Sequence, residues 1–153
     1  MKIEQVMTRP VITCRPSDTL NVAAGLMWEH DCGALPVVDD KGAIVGMITD
    51  RDICMAAYTA GRDLHSVSVG TGMAKVVLSC LPGDELSDAV ETMASGRVRR
   101  LPVLDAQRRP IGMISMNDVV RLGARLDKRA GVVAQTTLAA ICEPRRKPLS
   151  KVA

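Results

Sequence analysis

A seven-residue pattern that returns after 66 positions constrains this chain more than any other feature. Gly46-Met47-Ile48-Thr49-Asp50-Arg51-Asp52 is matched by Gly112-Met113-Ile114-Ser115-Met116-Asn117-Asp118. The same offset aligns Met7 with Met73, Val11 with Val77, Cys14 with Cys80, Pro16 with Pro82 and Asp18 with Asp84, without a gap. It continues through Leu20 and Leu86, Ala23 and Ala89, Met27 and Met93, Leu35-Pro36-Val37 and Leu101-Pro102-Val103, and Asp39 and Asp105. A register held this long means two copies of one unit, and two copies are too few for a solenoid.

Each copy predicts the same order of elements. Val11 to Thr13 and Val76 to Ser79 read as short strands. Ser17/Asp18 and Asp84, beside Pro16 and Pro82, read as helix starts. Leu20, Ala23, Ala24, Met27 and Trp28 form one helical stripe, repeated by Leu86, Ala89, Val90, Met93 and Ala94. Two strands joined by a tight turn follow, at 39–42 and 105–108, and then helices over about 50–60 and 116–126. The unit is β-α-β-β-α and the fold class is α+β: two tandem repeats, 3–60 and 73–126, packed about a pseudo-twofold axis and joined by a linker at 61–72. One unit alone, at about 55–60 residues, would bury little surface, which favours packing the two together. Residues 127–153 read as a basic tail, with an apolar helix possible over 132–142 and a loose end at 144–148.

Composition narrows the function. The chain has one Trp, one Tyr and no Phe, so its core is aliphatic and its nine Met fill gaps. That scarcity argues against the stacking platforms of single-stranded nucleic-acid binders. The net charge of +3 is unevenly placed: residues 1–123 carry 13 Lys/Arg and 15 Asp/Glu, whereas 124–153 carry seven Lys/Arg and two Asp/Glu. No apolar run approaches a membrane span and no signal-like stretch opens the chain. Five cysteines without a C-x-x-C pair suit a reducing cytoplasm. A cytoplasmic protein is expected.

The repeated motif suggests a ligand. Thr49 and Ser115 sit where strand gives way to helix, where free backbone N–H groups favour an anion such as phosphate. A hydroxyl there can donate to the same phosphate. Asp52 and Asp118, in the first turn, can accept from the 2′- and 3′-hydroxyls of a ribose. Gly46 permits close approach of a backbone or a ligand. The competing explanation is a helix cap, Ser/Thr-x-x-Asp. Two copies at equivalent junctions favour a nucleotide site.

These residues resemble the cystathionine β-synthase (CBS) domain pair, or Bateman module. The likeness runs through Val6-Met7-Thr8, Val11-Ile12-Thr13, Leu35-Pro36-Val37-Val38-Asp39 and the Gly46-to-Asp52 motif. In the second copy it runs through Leu101-Pro102-Val103-Leu104-Asp105 and the Gly112-to-Asp118 motif. It covers roughly residues 3–126. It implies two clefts that hold adenosine derivatives such as AMP, ADP, ATP or S-adenosylmethionine, and disc-like association of two modules into a homodimer. By position it assigns Thr49 and Asp52 to one cleft and Ser115 and Asp118 to the other. Backbone contacts to adenine would come from Ile12-Thr13 and Leu78-Ser79. Gly33-Ala34 and Arg99-Arg100 would line the clefts, with aliphatic residues such as Ile48, Met113, Pro36 and Pro102 beside the base.

The two clefts differ. Arg99 and Arg100 stand where the first copy has Gly33 and Ala34, and arginine pairs well with phosphate. Asp50 in the first copy would repel phosphate. The Ser115/Asp118 cleft is therefore expected to bind AMP or polyphosphate more tightly. No catalytic motif is present, His30 and His65 make no metal-site spacing, and Cys14 and Cys80 read as buried apolar residues. The expected function is a non-catalytic adenine-nucleotide sensor acting on an unidentified protein effector in trans, with no required cofactor. The alternatives are a scaffold with degenerate clefts, or nucleic-acid association through Arg145-Arg146-Lys147, for which a solvated tail is the simpler reading.

Overall fold

The computed structural model describes residues 1–126 and 128–142. The basic stretch at 144–148 lies outside them. The first half contains helix α1 (Leu20–Glu29), strands β1 (Ala34–Val38) and β2 (Ile44–Thr49), and helix α2 (Asp50–Ala60). A short helix, α3 (Val69–Gly72), stands in the stretch expected to be a linker. The second half repeats the pattern with α4 (Leu86–Gly96), β3 (Arg100–Leu104), β4 (Pro110–Ser115) and α5 (Met116–Leu126). Helix α6 (Lys128–Cys142) packs on α4 and α5 and extends the helix anticipated at 132–142. No helix among the described residues is long and apolar enough to cross a membrane.

The two antiparallel hairpins have matching registers, with Ala34 opposite Thr49 and Arg100 opposite Ser115. β1 is buried along its whole length, while β2 alternates between buried and half-buried residues. Alternation places Gly46 and Ile48 inward and leaves Met47 half-buried; Met113 is placed the same way in β4. Only Met27 and Met93 of the four methionines at repeated core positions are fully interior.

Two local expectations change. The first strands, 11–13 and 76–79, do not form. Each shrinks to one rung, at Cys14 on β1 and at Cys80 on β3. Cys14 donates to the carbonyl of Pro36 and accepts from Val38, and Cys80 does the same with Pro102 and Leu104. The chain then turns away at once. The Asp18 carboxylate accepts from Arg15 N–H at 2.7 Å and that of Asp84 from Leu81 N–H at 2.7 Å. Asp18 and Asp84 thus close turns before the helices rather than capping them. The cap of α1 is Thr19, which accepts from Val22 N–H, and α4 begins after Glu85 without a side-chain cap.

The two halves exchange their leading segments. Ile3 N–H donates to Asp84 O, Glu4 N–H to Pro82 O and Leu86 N–H to Met1 O, so the start of the chain docks on the second half. Sixty-six positions on, Val69 N–H donates to Asp18 O, Gly70 N–H to Pro16 O and Leu20 N–H to Val67 O, docking 67–70 on the first half. Ile3 lies in the core formed by Leu101, Val103, Ile114 and Met93. Val67 and Val69 lie in the core formed by Leu35, Val37, Ile48 and Leu20. The exchange also explains the repeated glycines. Thr8 pairs with Met113 and Ala74 with Met47 in two-bond bridges. A Cβ on Gly46 would lie 2.9 Å from Ala74 O and 2.8 Å from Met73 Sδ, and one on Gly112 would collide with Met7 Sδ. Gly46 therefore makes room for the other repeat's leader, not for a ligand.

Because Ile3 is fully buried in a core assembled from residues 80 and beyond, Ile3→Ala should cost about 2–5 kcal/mol. The exposed neighbour change Glu4→Ala should stay within about 0.5 kcal/mol. Urea titration checks both; a cost below about 1 kcal/mol for Ile3→Ala would mean that the leader does not hold the second half.

Candidate functional site

The Ser/Thr-x-x-Asp spacing folds into the same small unit twice. Strand β2 ends at Thr49 with extended backbone, and α2 starts at the next residue. Thr49 Oγ1 donates to Asp52 Oδ2 at 2.7 Å, Thr49 N–H donates to the same oxygen at 3.0 Å, and Asp52 N–H returns a bond to Thr49 Oγ1 at 3.2 Å. In the second copy the corresponding distances for Ser115 and Asp118 are 2.6, 2.8 and 3.3 Å. Both pairs form a capping box of the kind weighed from the sequence. In each, the cap engages only Oδ2. Among the described residues, Oδ1 of Asp52 and of Asp118 carries no hydrogen bond, so each carboxylate keeps an acceptor for a ligand hydroxyl. All four side chains are half-buried.

Topology places other anticipated residues beside these pairs. Ala34 lies opposite Thr49, and Arg100 opposite Ser115. Asp50 N–H donates to Gly33 O, and Met116 N–H to Arg99 O, so the segment before each first strand is tied to the start of the helix. Ile12 and Thr13 are half-buried just before the Cys14 rung. Their counterparts are more open: Leu78 and Ser79 are exposed, and Leu78 lies across Gly96, where a Cβ would strike it. Pro102 is fully buried in β3 opposite Met113, so it offers no open face.

The arginines are placed in a way that strand order alone does not disclose. Arg99 is exposed. Arg100 starts from β3 beside Ser115, but its guanidinium reaches the first half. A Cβ built on Gly33 would lie 3.3 Å from Arg100 Nη2 and 2.9 Å from Asp50 Oδ2. Arg100 and Asp50 form no ion pair with each other among the described residues. Arg100 therefore connects the neighbourhoods of the two motifs, which the sequence treated as separate. The hairpin turns also meet across the axis, where Ile44 N–H donates to Arg108 O at 2.9 Å. The reciprocal bond is missing because the matching position is Pro110, which has no N–H.

No group of three His, Cys, Asp or Glu among the described residues is arranged to hold a metal ion. Cys14 and Cys80 are free and buried in different cores. Burial, helped by Asp18, pushes the Cys14 thiol up to about 12, and burial with Asp84 pushes Cys80 up to about 11. A raised value removes thiolate at neutral pH, and thiolate is the reactive form. Ellman's reagent at pH 8 should therefore modify exposed Cys54 and Cys142 promptly and reach Cys14 and Cys80 only after unfolding. Prompt labelling of all four in the folded protein would contradict this burial.

Known proteins share this arrangement. The family profile described as CBS domain matches residues 3–58 and 65–125. The CBS domain-containing protein YhcV of Bacillus subtilis (strain 168) is 38% identical over 117 residues, which is 76% of this chain and 81% of that protein. The crystal structure of the CBS-domain containing protein ATU1752 from Agrobacterium tumefaciens matches with a TM-score of 0.72 at 32% identity, covering 82% of this chain and 100% of that one. CBSX2, solved in complex with AMP, matches with a TM-score of 0.71 at 27% identity, covering 82% of this chain and 97% of that one.

Proposed function

Because the chain belongs to the CBS domain family, we propose that it is a non-catalytic regulatory module that binds adenine nucleotides between its repeats. The observation that carries this reading is the pair of Ser/Thr–Asp caps, each with an unused carboxylate oxygen, with the Arg100 guanidinium beside Gly33 in the first half. A carboxylate at that position recognises a ribose diol, and hydroxyl, helix N-terminus and guanidinium suit phosphate. The AMP complex of CBSX2 supports an adenine nucleotide as the ligand class.

The exchanged leaders give binding a route to a partner. Each half is held by a segment belonging to the other repeat, so a ligand that changes the spacing of the halves also changes how Met1 to Thr8 and the stretch from 67 to 74 are seated. Differential affinity for two such seatings is what coupling to an effector requires. The module works as a cytoplasmic homodimer and passes the signal to an effector in trans.

The second cleft is the tighter one for AMP. Asp50, which would repel phosphate in the first, is replaced there by the buried, uncharged Met116, and Arg99 is exposed beside it. In calorimetric titrations with AMP, ADP and ATP, Asp118→Ala should weaken the strongest AMP site by at least about tenfold, and Asp52→Ala should leave that site intact. Both substitutions also remove a helix cap worth about 1 kcal/mol, so folding is checked at the titration temperature. The reverse pattern would exchange the roles of the clefts. No heat and no thermal shift with any of the three nucleotides at millimolar concentration would favour a scaffold with empty clefts.

A further inference from the structure

Helix α6 breaks the symmetry of the two halves. It packs on α4 and α5, and its Ile141 joins the core of the second half. The stretch at the same offset in the first half, 62–76, holds only the four-residue helix α3. α6 also lies beyond the residues 3–58 and 65–125 that the CBS profile matches, so it is not part of the repeated unit. The helices of the first half differ to match. Trp28 corresponds to Ala94, and Tyr58 to Ala124. Ala94 is half-buried, whereas Trp28 and Tyr58, the chain's one Trp and one Tyr, are 89% and 79% exposed. Apart from Met1 and the stretch 76–81, the exposed large apolar side chains among the described residues lie in two places. Val22, Trp28, Met55 and Tyr58 are on α1 and α2, and Val120, Val132 and Leu138 are on α5 and α6. Their charges are opposite. α1 and α2 carry Glu29, Asp50 and Asp52 against Arg51, a balance of −2, and α5 and α6 carry Arg121, Arg125, Lys128 and Arg129 against Asp118, a balance of +3.

We infer that a second copy of this chain docks its α5–α6 surface on α1 and α2, and that a twofold axis makes this contact twice. Trp28 and Tyr58 are the anchors, because exposed aromatic side chains lose the most apolar surface to a partner. Val132 and Leu138 of the partner's α6 are the smaller aliphatic surface that receives them. Charge decides between the possible pairings. Like surfaces would set −2 against −2 or +3 against +3, whereas the crossed pairing brings opposite charges together. The twofold then closes the assembly with both patches of both copies covered, so no apolar face is left to extend it into a fibre. α6 is thus the element that selects the partner surface. The pairing presupposes the proposed homodimer and names the surfaces that meet in it.

Sedimentation of the full chain should show a dimer whose dissociation constant rises with salt, because opposite charges meet. Trp28→Asp and Val132→Asp each place a carboxylate at an exposed position, and each should weaken the dimer at least about tenfold while circular dichroism shows the fold intact. An equal mixture of the two variants should recover dimer. Each mixed pair keeps one undamaged contact, between Trp28 of one chain and α6 of the other. A bismaleimide, which joins exposed thiols, should yield covalent dimers in which Cys54 on α2 is linked to Cys142 at the end of α6. A mixture no more dimeric than either variant alone, or covalent dimers linked only from Cys54 to Cys54, would overturn the crossed pairing while leaving the homodimer standing. A full chain that stays monomeric at millimolar concentration would remove the homodimer and the pairing together, and AMP titration would still report on the clefts.

Discussion

The exchange of leading segments holds the rest of the structure in place. Three backbone hydrogen bonds tie Met1 to Glu4 onto the second half, and three at the offset of 66 tie Val67 to Gly70 onto the first. These bonds bring Ile3 and Val69 into cores they could not reach from within their own repeats. Each half is small for a single unit, and the borrowed residue completes its core. The bridges Thr8–Met113 and Met47–Ala74 extend each hairpin on its outer side, and they need glycine at 46 and 112 to come so close. Register, hairpin edge and helix start are set together by this one crossing.

The site inherits its order from that arrangement. A Ser/Thr hydroxyl and an Asp carboxylate three positions apart satisfy each other at the first turn of α2 and of α5. This bond stabilises the helix start whether or not a ligand is present, and it holds the carboxylate in one orientation with an oxygen to spare. Capping and ligand recognition, which looked like rival explanations of the motif, are compatible uses of the same two side chains. Asymmetry enters through substitutions at the edges: Asp50 against Met116, Ala34 against Arg100 and Gly33 against Arg99. Two similar frames thereby acquire different charge.

Much of this was legible in the residues. The offset of 66 disclosed the duplication, the apolar stripe Leu20-Ala23-Met27 disclosed α1, and Asp39 and Asp105 marked turns in which their carboxylates do accept backbone N–H groups. Other features were misread for identifiable reasons. The apolar run Val11-Ile12-Thr13 has strand composition, but the Asp18 turn draws the chain off the sheet after one rung. Asp18 looked like a cap because caps and turns favour the same short acceptors. The stretch 61–72 looked like a linker because its polar residues hide two buried valines, Val67 and Val69. Ile3 and Val69 are matching apolar residues at the repeat offset, a signal that the unit begins before Met7.

By itself the sequence determined that there are two copies of one helix–hairpin–helix unit and that the hairpin of each leads into a hydroxyl and a carboxylate at a helix start. Those properties are local: period, turn chemistry and a spacing of three residues act within one or two turns of chain. Only the tertiary structure decided which half each leader completes, why Gly46 and Gly112 are glycines, and that Arg100 reaches across to Gly33 and Asp50. Those contacts join residues tens of positions apart, and neither a side chain's reach nor its partner across a pseudo-twofold axis is encoded in the pattern of its neighbours.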